Sequence, residues 1–373
     1  MRDLTKSSRQ TFWGSPPWAI DFHPVGHTMP QEVDFAIVGG GFSGLSAAAW
    51  LRHLDPQKSV AVFEAESIGA GASGRTGGMT LAESAAGNLP GLGDVLSGFK
   101  NVLAHLGVEC DLSLPGAWEL GREQARADSP IKWKDSGELR VANEVPGGSA
   151  DPGKLVSGLA RAADSLGAFI FEDSRVENIV FDGPLRLDVR GRQIRARHIL
   201  LATNAMSLEL SSLADRGQPK FTLAVATAPL TDAQLVNLGL ASRRSFYTVD
   251  LPYLWGRLLN SNGIIFGSGF VHLRHWSELD ALDIARGLAA ELLASTERRV
   301  RRLHPALRSA EFTHRWGGPI LFANDSRPVF ARHRKSGQVI VLGGYSGHGV
   351  ALSVYLGSWA AESILGRCEL PNW

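Results

Sequence analysis

The chain has 373 residues, long enough for two domains and a sizeable core. Its 38 basic and 37 acidic side chains nearly cancel, which removes the electrostatic case for nucleic acid or an anionic membrane as a partner. Cys110 and Cys368 are the only cysteines, too few for a disulfide framework or a four-cysteine metal centre, so no metal is expected and a reduced, cytoplasmic setting is the default.

Residues 1–32 form an N-terminal arm rich in proline and aromatics, including Phe12, Trp13, Trp18 and Phe22. Disordered leaders are usually poor in aromatics, so the arm is expected to pack onto the globule. Residues 34–64, DFAIVGGGFSGLSAAAWLRHLDPQKSVAVFE, read as strand, glycine turn, helix and second strand. Phe35, Ala36, Ile37 and Val38 suit a strand buried on both faces. Gly39, Gly41 and Gly44 carry the G-x-G-x-x-G spacing. The first permits a tight turn, the second lets a pyrophosphate approach the backbone, and the third lets helix pack on strand. The helix over 45–54 offers its N-terminal amides to phosphate. Glu64 ends the second strand, where an acid binds ribose hydroxyls; an acid there disfavours a 2′-phosphate and points to FAD or NAD rather than NADP. The apolar stretch 35–51 is broken by glycines and accounted for by this strand and helix, so no transmembrane segment is expected.

Residues 67–80, SIGAGASGRTGGMT, hold too many glycines for a regular element and are expected to contact the cofactor. Arg75 within them either meets a phosphate or an anionic flavin ring, or is a solvated arginine. A helix is expected over 89–106, and strand-like pieces follow up to the Gly147-Gly148 pair. Asp151 and Pro152 then mark a helix start, with an apolar stripe at Leu155, Leu159, Ala162, Ala163 and Leu166 and a stop at Gly167. Strands are expected at 168–171 and 174–181, a hairpin at 185–197, and a separate buried strand at 198–203. In the next stretch, 221–229 and 245–249 read as strands, and 253–267 as a hairpin about Ser261-Asn262-Gly263. A long helix over 279–303 ends with Arg298, Arg299, Arg301 and Arg302, either an anion site or a solvated C-terminus. The chain closes on a strand at 338–342, the turn GGYSGHGV at 343–350 and a small-residue helix over 351–365. That repeats the opening logic, here with a polar ring edge such as the flavin pyrimidine as guest. His348 either bonds that edge, acts on substrate, or is a satisfied structural histidine.

Taken together, IVGGGFSGL, VAVFEAE, GAGASGRTGGM, SRVENIV, ILLATNA and GGYSGHGVALS resemble the D-amino-acid-oxidase-like family of FAD-dependent oxidoreductases, in that family's order and over nearly the whole chain. Phe12-Trp13, ATAPLTDAQL at 226–235 and RWGGPILFANDSRPVFAR at 315–332 are similar to the gamma-glutamylputrescine-oxidase-like branch. The resemblance implies an α/β, Rossmann-like FAD-binding domain split among 33–85, 151–220 and 316–373. A second, α+β substrate domain would use 86–150 and 221–315, built on an antiparallel sheet. It assigns Gly39, Gly41, Phe42, Ser43 and Gly44 to the pyrophosphate and Glu64 with Ala65 to the ribose. Ser73, Gly74, Arg75, Gly77, Gly78 and Met79 would lie along the isoalloxazine, Val176 on adenine and Ala202 at the strand end beneath. Gly344, Tyr345, Gly347, His348, Gly349 and Val350 would close over the pyrimidine.

Both cysteines fall outside these loops, so FAD is expected to be non-covalent. The place where amino-acid oxidases of the family often carry a carboxylate-clamping arginine reads Gly318-Pro319-Ile320-Leu321, which favours an amine or substituted amine. No lysine occurs between Phe221 and Arg334, so oxidase and dehydrogenase stay open, with molecular oxygen or another electron acceptor as the second partner. The implied reaction is hydride transfer from the amine's α C–H to flavin N5, followed by imine hydrolysis. Tyr253, Trp255 and Arg257 on the hairpin are the candidate pocket residues, with Trp316 and His348 as further candidates; alternatively Tyr253 and Trp255 are core aromatics. Two other functions remain at this stage: a glycine- or D-amino-acid-type oxidase or dehydrogenase using Arg257 on carboxylate, and an electron-passing or non-catalytic flavoprotein subunit.

Overall fold

The computed structural model describes residues 12–123 and 128–373. Two large sheets share the chain. The first runs Val329–His333, Ser336–Gly343, Arg192–Leu201, Glu32–Val38, Val60–Phe63 and Phe169–Phe171 in spatial order. Four of the five pairings along this path are parallel, all but that of Val329–His333 with Ser336–Gly343, and Ile37 lies opposite Leu200 on one side and Val62 on the other. Both faces are covered, which is why these strands read as continuous apolar runs. One face packs on the helices Phe42–Leu54, Pro152–Ser165 and Gly349–Ile364. The other packs on the Val176–Val180 and Arg186–Val189 strands and their surroundings.

The helices sit close because their contacts are small. Ala47, Ala48 and Ala49 are fully buried, and Ser46 Oγ donates to Val354 O at 2.7 Å. A Cβ at Gly357 would stand 2.5 Å from Ser43 O. Asp151 caps its helix as the sequence implies, accepting from Lys154 N, with Pro152 in the first turn.

Arg192–Leu201 is a single strand, where two were expected. Its first half pairs antiparallel with Arg186–Val189 across an Arg190-Gly191 turn, both residues at positive φ. Its second half enters the parallel sheet. The helix expected from residue 89 begins at Val95. Gly91 and Gly93 take positive φ, and Asp94 supplies the cap by accepting from Ser97 N. The helix expected over 279–303 is likewise Gly287–Leu303, preceded by a 3-10 turn at Trp276–Ala281.

The second sheet runs Phe312–Ala323, Gly217–Thr227, Ile264–His272, Trp255–Leu258, Ser245–Thr248, Ala117–Gly121, Glu138–Val145 and Trp133–Lys134. It is antiparallel except for Ser245–Thr248 beside Ala117–Gly121, which is parallel. Three segments therefore depart from the expected boundaries. Val95–Leu106 buries Phe99, Val102 and Leu103 in the first core, not the second. Residues 316–323 and 217–220 belong to strands of the second sheet.

The described part of the arm packs down; residues 1–11 lie outside the described residues. Trp13 is buried and donates to Leu279 O at 3.2 Å, while Trp18 donates to Gly74 O at 2.8 Å. No described helix is long and apolar enough to cross a membrane.

Candidate active site

A cavity of about 580 Å³ lies where the ends of the first sheet meet the second. One part is lined by Gly39, Gly41, Phe42, Ser43, Glu64, Ala65, Val176 and Ala202. The sequence dictates this corner through close approach. Gly39 has φ +110, and a Cβ there would meet Ala202 O at 2.6 Å. At Gly41 a Cβ would meet Ser73 Oγ at 2.7 Å, and at Gly44 it would overlap the Gly39 carbonyl oxygen. The helix that begins at Phe42 has Gly41 at its N-cap, donates from Phe42 N to Ser73 Oγ at 2.9 Å, and lines the cavity with Gly41, Phe42 and Ser43. Its N-terminal dipole therefore faces the cavity. Glu64 is held by two amides: Oε2 accepts from Gly40 N at 2.7 Å and Oε1 from Glu66 N at 3.0 Å. Burial pushes its carboxyl above the ordinary value, with those amides opposing.

The second glycine turn comes to the same cavity. Tyr345, Gly347, His348, Gly349 and Val350 line it. The two turns are joined by a 2.6 Å hydrogen bond between the hydroxyls of Ser43 and Tyr345. Burial raises the Tyr345 phenol well above its usual range, so it stays protonated for that bond. Asn204 Oδ1 accepts from Gly344 N at 3.0 Å, and Ser346 Oγ accepts from Ala323 N at 3.0 Å. The turn is thereby tied to the loop that follows Arg192–Leu201 and to a strand of the second sheet.

Residues 70–79 complete the wall, with Ser73, Arg75, Gly77 and Met79 facing the space. Arg75 is buried rather than solvated. Its Nη1 donates to the carbonyls of Gly14 and Gly317, each at 2.9 Å, and of Trp13 at 3.3 Å. Burial lowers its pKa to about 10. It fastens the arm to the Phe312–Ala323 strand while bordering the cavity. Gly44, Gly74, Gly78 and Gly344 do not line the space; they permit close backbone packing around it.

The remaining wall comes from the second sheet. Tyr253 and Trp255 line it, together with Tyr247, Leu251, Thr222, Phe270 and Phe322. Trp255 is wedged flat between Gly77 and Gly267, each of which would clash with the indole if it carried a Cβ. Burial pushes the Tyr253 phenol up to about 12. Arg257 departs from expectation. It does not line the cavity but turns behind the glycine loop, where Nε donates to Gly77 O and Nη1 to Leu258 O. Burial lowers its pKa to about 10. Strand alternation does not account for this, since Trp255 and Arg257 share a face; the loop 77–78 covers Arg257. Trp316 lines the cavity and also braces it, donating from Nε1 to Arg75 O at 2.9 Å and packing edge-on to Trp18. His348 is on the wall, its Nδ1 buried without a partner and its pKa lowered by burial.

Sequence reasoning missed Tyr247, Thr222 and Phe270. Register is the signal that finds them. Tyr247 pairs with Trp255, Trp255 with Gly267, and Thr222 with both Phe270 and Gly318. Two rows across the sheet, one through Tyr247, Trp255, Gly267 and Ala224 and one through Phe270, Thr222 and Gly318, thus lie at the cavity.

An extended anionic dinucleotide with a polar ring suits these residues. Three buried polar atoms on the wall lack partners: Thr203 Oγ1, His348 Nδ1 and Ser353 Oγ. Two helix N-termini open on the space, and Glu64 and Val176 line it as well. Neither cysteine lines it; Cys110 is buried elsewhere, its thiol pushed up to about 12 by burial. Among the described residues no group of three or more His, Cys, Asp and Glu is placed to hold a metal.

Residues 34–363 match the model of the family described as FAD dependent oxidoreductase, DAO. The chain belongs to this family. It is therefore an FAD-dependent oxidoreductase, and its fold is the family's Rossmann-like FAD domain with a second, sheet-based domain. Similar curated proteins include a probable oxidoreductase, OrdL, of Haemophilus influenzae, 27% identical over 97% of this chain and 89% of the relative. The gamma-glutamylputrescine oxidoreductase of Escherichia coli is 26% identical over 90% of this chain and 84% of its own. Among solved structures, glycine oxidase from Geobacillus kaustophilus superposes with a TM-score of 0.72 at 20% identity, covering 91% of this chain and 96% of its own. L-proline dehydrogenase from P. horikoshii gives 0.70 at 19% identity, covering 92% and 96%.

Proposed function

We propose that this oxidoreductase oxidises a C–N bond of an amine or substituted amine, using FAD held without a covalent bond. One observation carries the reading: the second-sheet wall offers aromatic, hydroxyl and aliphatic groups, and the arginine best placed in sequence to grip a carboxylate, Arg257, is turned away behind the loop 77–78. Bound FAD would accept the hydride released from the amine's α C–H, and the resulting imine then hydrolyses to a carbonyl and an amine. The chain's part is to hold and orient. The glycine turns and Glu64 fix the adenosine and pyrophosphate, residues 73–79 and 344–350 the ring. Trp255, immobile between two glycines, sets the orientation of the substrate. The Tyr253 hydroxyl, kept protonated by burial, donates to it. The relatives named for gamma-glutamylputrescine and for glycine carry substrates of both kinds, an amine and an amino acid. Molecular oxygen or another acceptor removes the electrons. Two free thiols, Cys110 and Cys368, suit a cytoplasmic setting.

The test is anaerobic bleaching of the flavin absorbance by putrescine, N-methylbutylamine and glycine, followed by admission of air. Reduction by the amines and not by glycine is the expected result, and the rate of recovery in air separates oxidase from dehydrogenase. Reduction by glycine alone would establish the amino-acid-oxidase reading; a flavin inert to all three would favour an electron-passing subunit.

A further inference from the structure

Tyr253 reaches the cavity on a segment that the sheet does not hold. Residues 250–253 lie between Ser245–Thr248 and Trp255–Leu258 and, among the described residues, make no backbone–backbone hydrogen bond. Leu251 is 83% exposed yet lines the cavity, so the segment forms part of its mouth. What holds it is a set of side chains: Ser268 Oγ donates to Tyr253 O at 2.8 Å, and a charged cluster takes the rest.

Asp135 is buried, and both of its carboxylate oxygens are taken by arginines. Arg299 donates from Nε at 2.9 Å and from Nη2 at 2.6 Å, and Arg122 from Nη2 at 2.7 Å. The same two guanidiniums reach over the segment. Arg299 Nη1 donates to Tyr253 O at 2.7 Å and its Nη2 to Pro252 O at 2.6 Å. Arg122 Nη2 donates to Pro252 O at 3.2 Å, its Nη1 pairs with the Asp250 carboxylate, and its backbone N–H donates to Asp250 Oδ2 at 2.8 Å. One of the four arginines near the helix end is thus neither an anion site nor a solvated terminus. Arg301, by contrast, pairs with Glu297 within its own helix.

We propose that Arg122, Asp135 and Arg299 are positioning residues that clamp the segment 250–253 and thereby set the place of Tyr253 in the cavity and the affinity for substrate. The consequence for substrate rests on reading this cavity as the substrate site. The clamp is built from planar, forked donors that satisfy two carbonyls and a carboxylate at once, which a lysine cannot do. The Ser268 hydroxyl stays on Tyr253 O, but with no ladder bond behind it, losing the fork loosens the segment without unmaking the sheet.

The experiment compares the holoenzyme with Arg299→Lys and Asp135→Asn, two variants so that failure of one to fold leaves the other. Amide hydrogen exchange at Val249 and Leu254, whose N–H groups donate to Leu120 O and Thr248 Oγ1 at the two ends of the segment, should accelerate about tenfold in either variant, while that covering 255–258 keeps its protection. Unchanged exchange at Val249 and Leu254, or equal acceleration throughout the second sheet, overturns the clamp. In anaerobic reduction by putrescine or N-methylbutylamine, the half-saturating concentration should rise about fivefold with the limiting rate within about twofold. A fall in limiting rate and FAD content with unchanged half-saturation would show a merely structural cluster and overturn the link to Tyr253. Should neither amine nor glycine bleach the wild-type flavin, the reading of the site fails, and the exchange comparison still decides the clamp.

Discussion

Replacing Gly44 with alanine adds one methyl where the first helix starts. That Cβ would overlap the Gly39 carbonyl oxygen and stand 3.2 Å from the carbonyl carbon and 3.1 Å from Ile37 Cγ2. The chief obstacle is backbone, so no rotamer change relieves it. The helix start or the turn has to move by about 1 Å, at a cost of about 1–3 kcal/mol. The same shift displaces Gly41, Phe42 and Ser43, which line the cavity. FAD binding should therefore weaken by about 10–100-fold, since about 1.4 kcal/mol is tenfold. Flavin fluorescence quenching on titrating apoprotein with FAD measures this directly, alongside thermal unfolding of the apoprotein. Gly26→Ala is the control, because a Cβ there meets nothing within 4 Å. A Gly44→Ala protein that binds FAD as tightly as the control would refute the placement of the pyrophosphate at this turn.

Glu64→Ala leaves the Gly40 and Glu66 amides without their acceptor and removes the ribose partner, so FAD affinity should fall by about tenfold or more in the same titration. Tyr345→Phe breaks the bond that joins the two glycine turns and leaves Ser43 Oγ buried, costing about 1 kcal/mol, read as a lowered Tm with the protein still able to load FAD. Burial holds His348 below the ordinary histidine value of about 6.5, so the unfolded chain takes up its proton first as pH falls. Its contribution to stability is complete above that value and is lost on acidification toward the lower folded one. His348→Asn should flatten the fall in apoprotein Tm between about pH 7 and 5, and an unchanged slope would show that this histidine titrates normally.

The adenosine half of the site was legible because its signals are local. Strand, three glycines, helix and acid follow one another in 34–64, and each has a single steric or electrostatic reason. Other features needed tertiary context. The break expected at Arg197-His198 did not occur, because the strand exchanges one-sided cover for two-sided cover there. Ile194 and Ala196 alternate with polar residues, and then Ile199, Leu200 and Leu201 are all buried. The stripe of Val95–Leu106 announces a helix, but a stripe does not say which core it faces. Arg257 and Trp255 share a strand face, and only the path of the loop 77–78 over that face sends one to the cavity and the other behind it. Asp135, Arg122 and Arg299 are far apart in sequence, and no periodicity marks three charges that meet over a distant segment.

The central claim is that an amine gives up its α hydrogen as hydride to FAD in this cavity. Anaerobic single-turnover reduction of the wild-type flavin by N-methylbutylamine, with and without deuterium at the carbons bonded to nitrogen, tests it most directly. The account predicts bleaching that slows severalfold on deuteration, with one carbonyl formed per flavin reduced. Bleaching at an unchanged rate, or no bleaching by the amine at all, would contradict it.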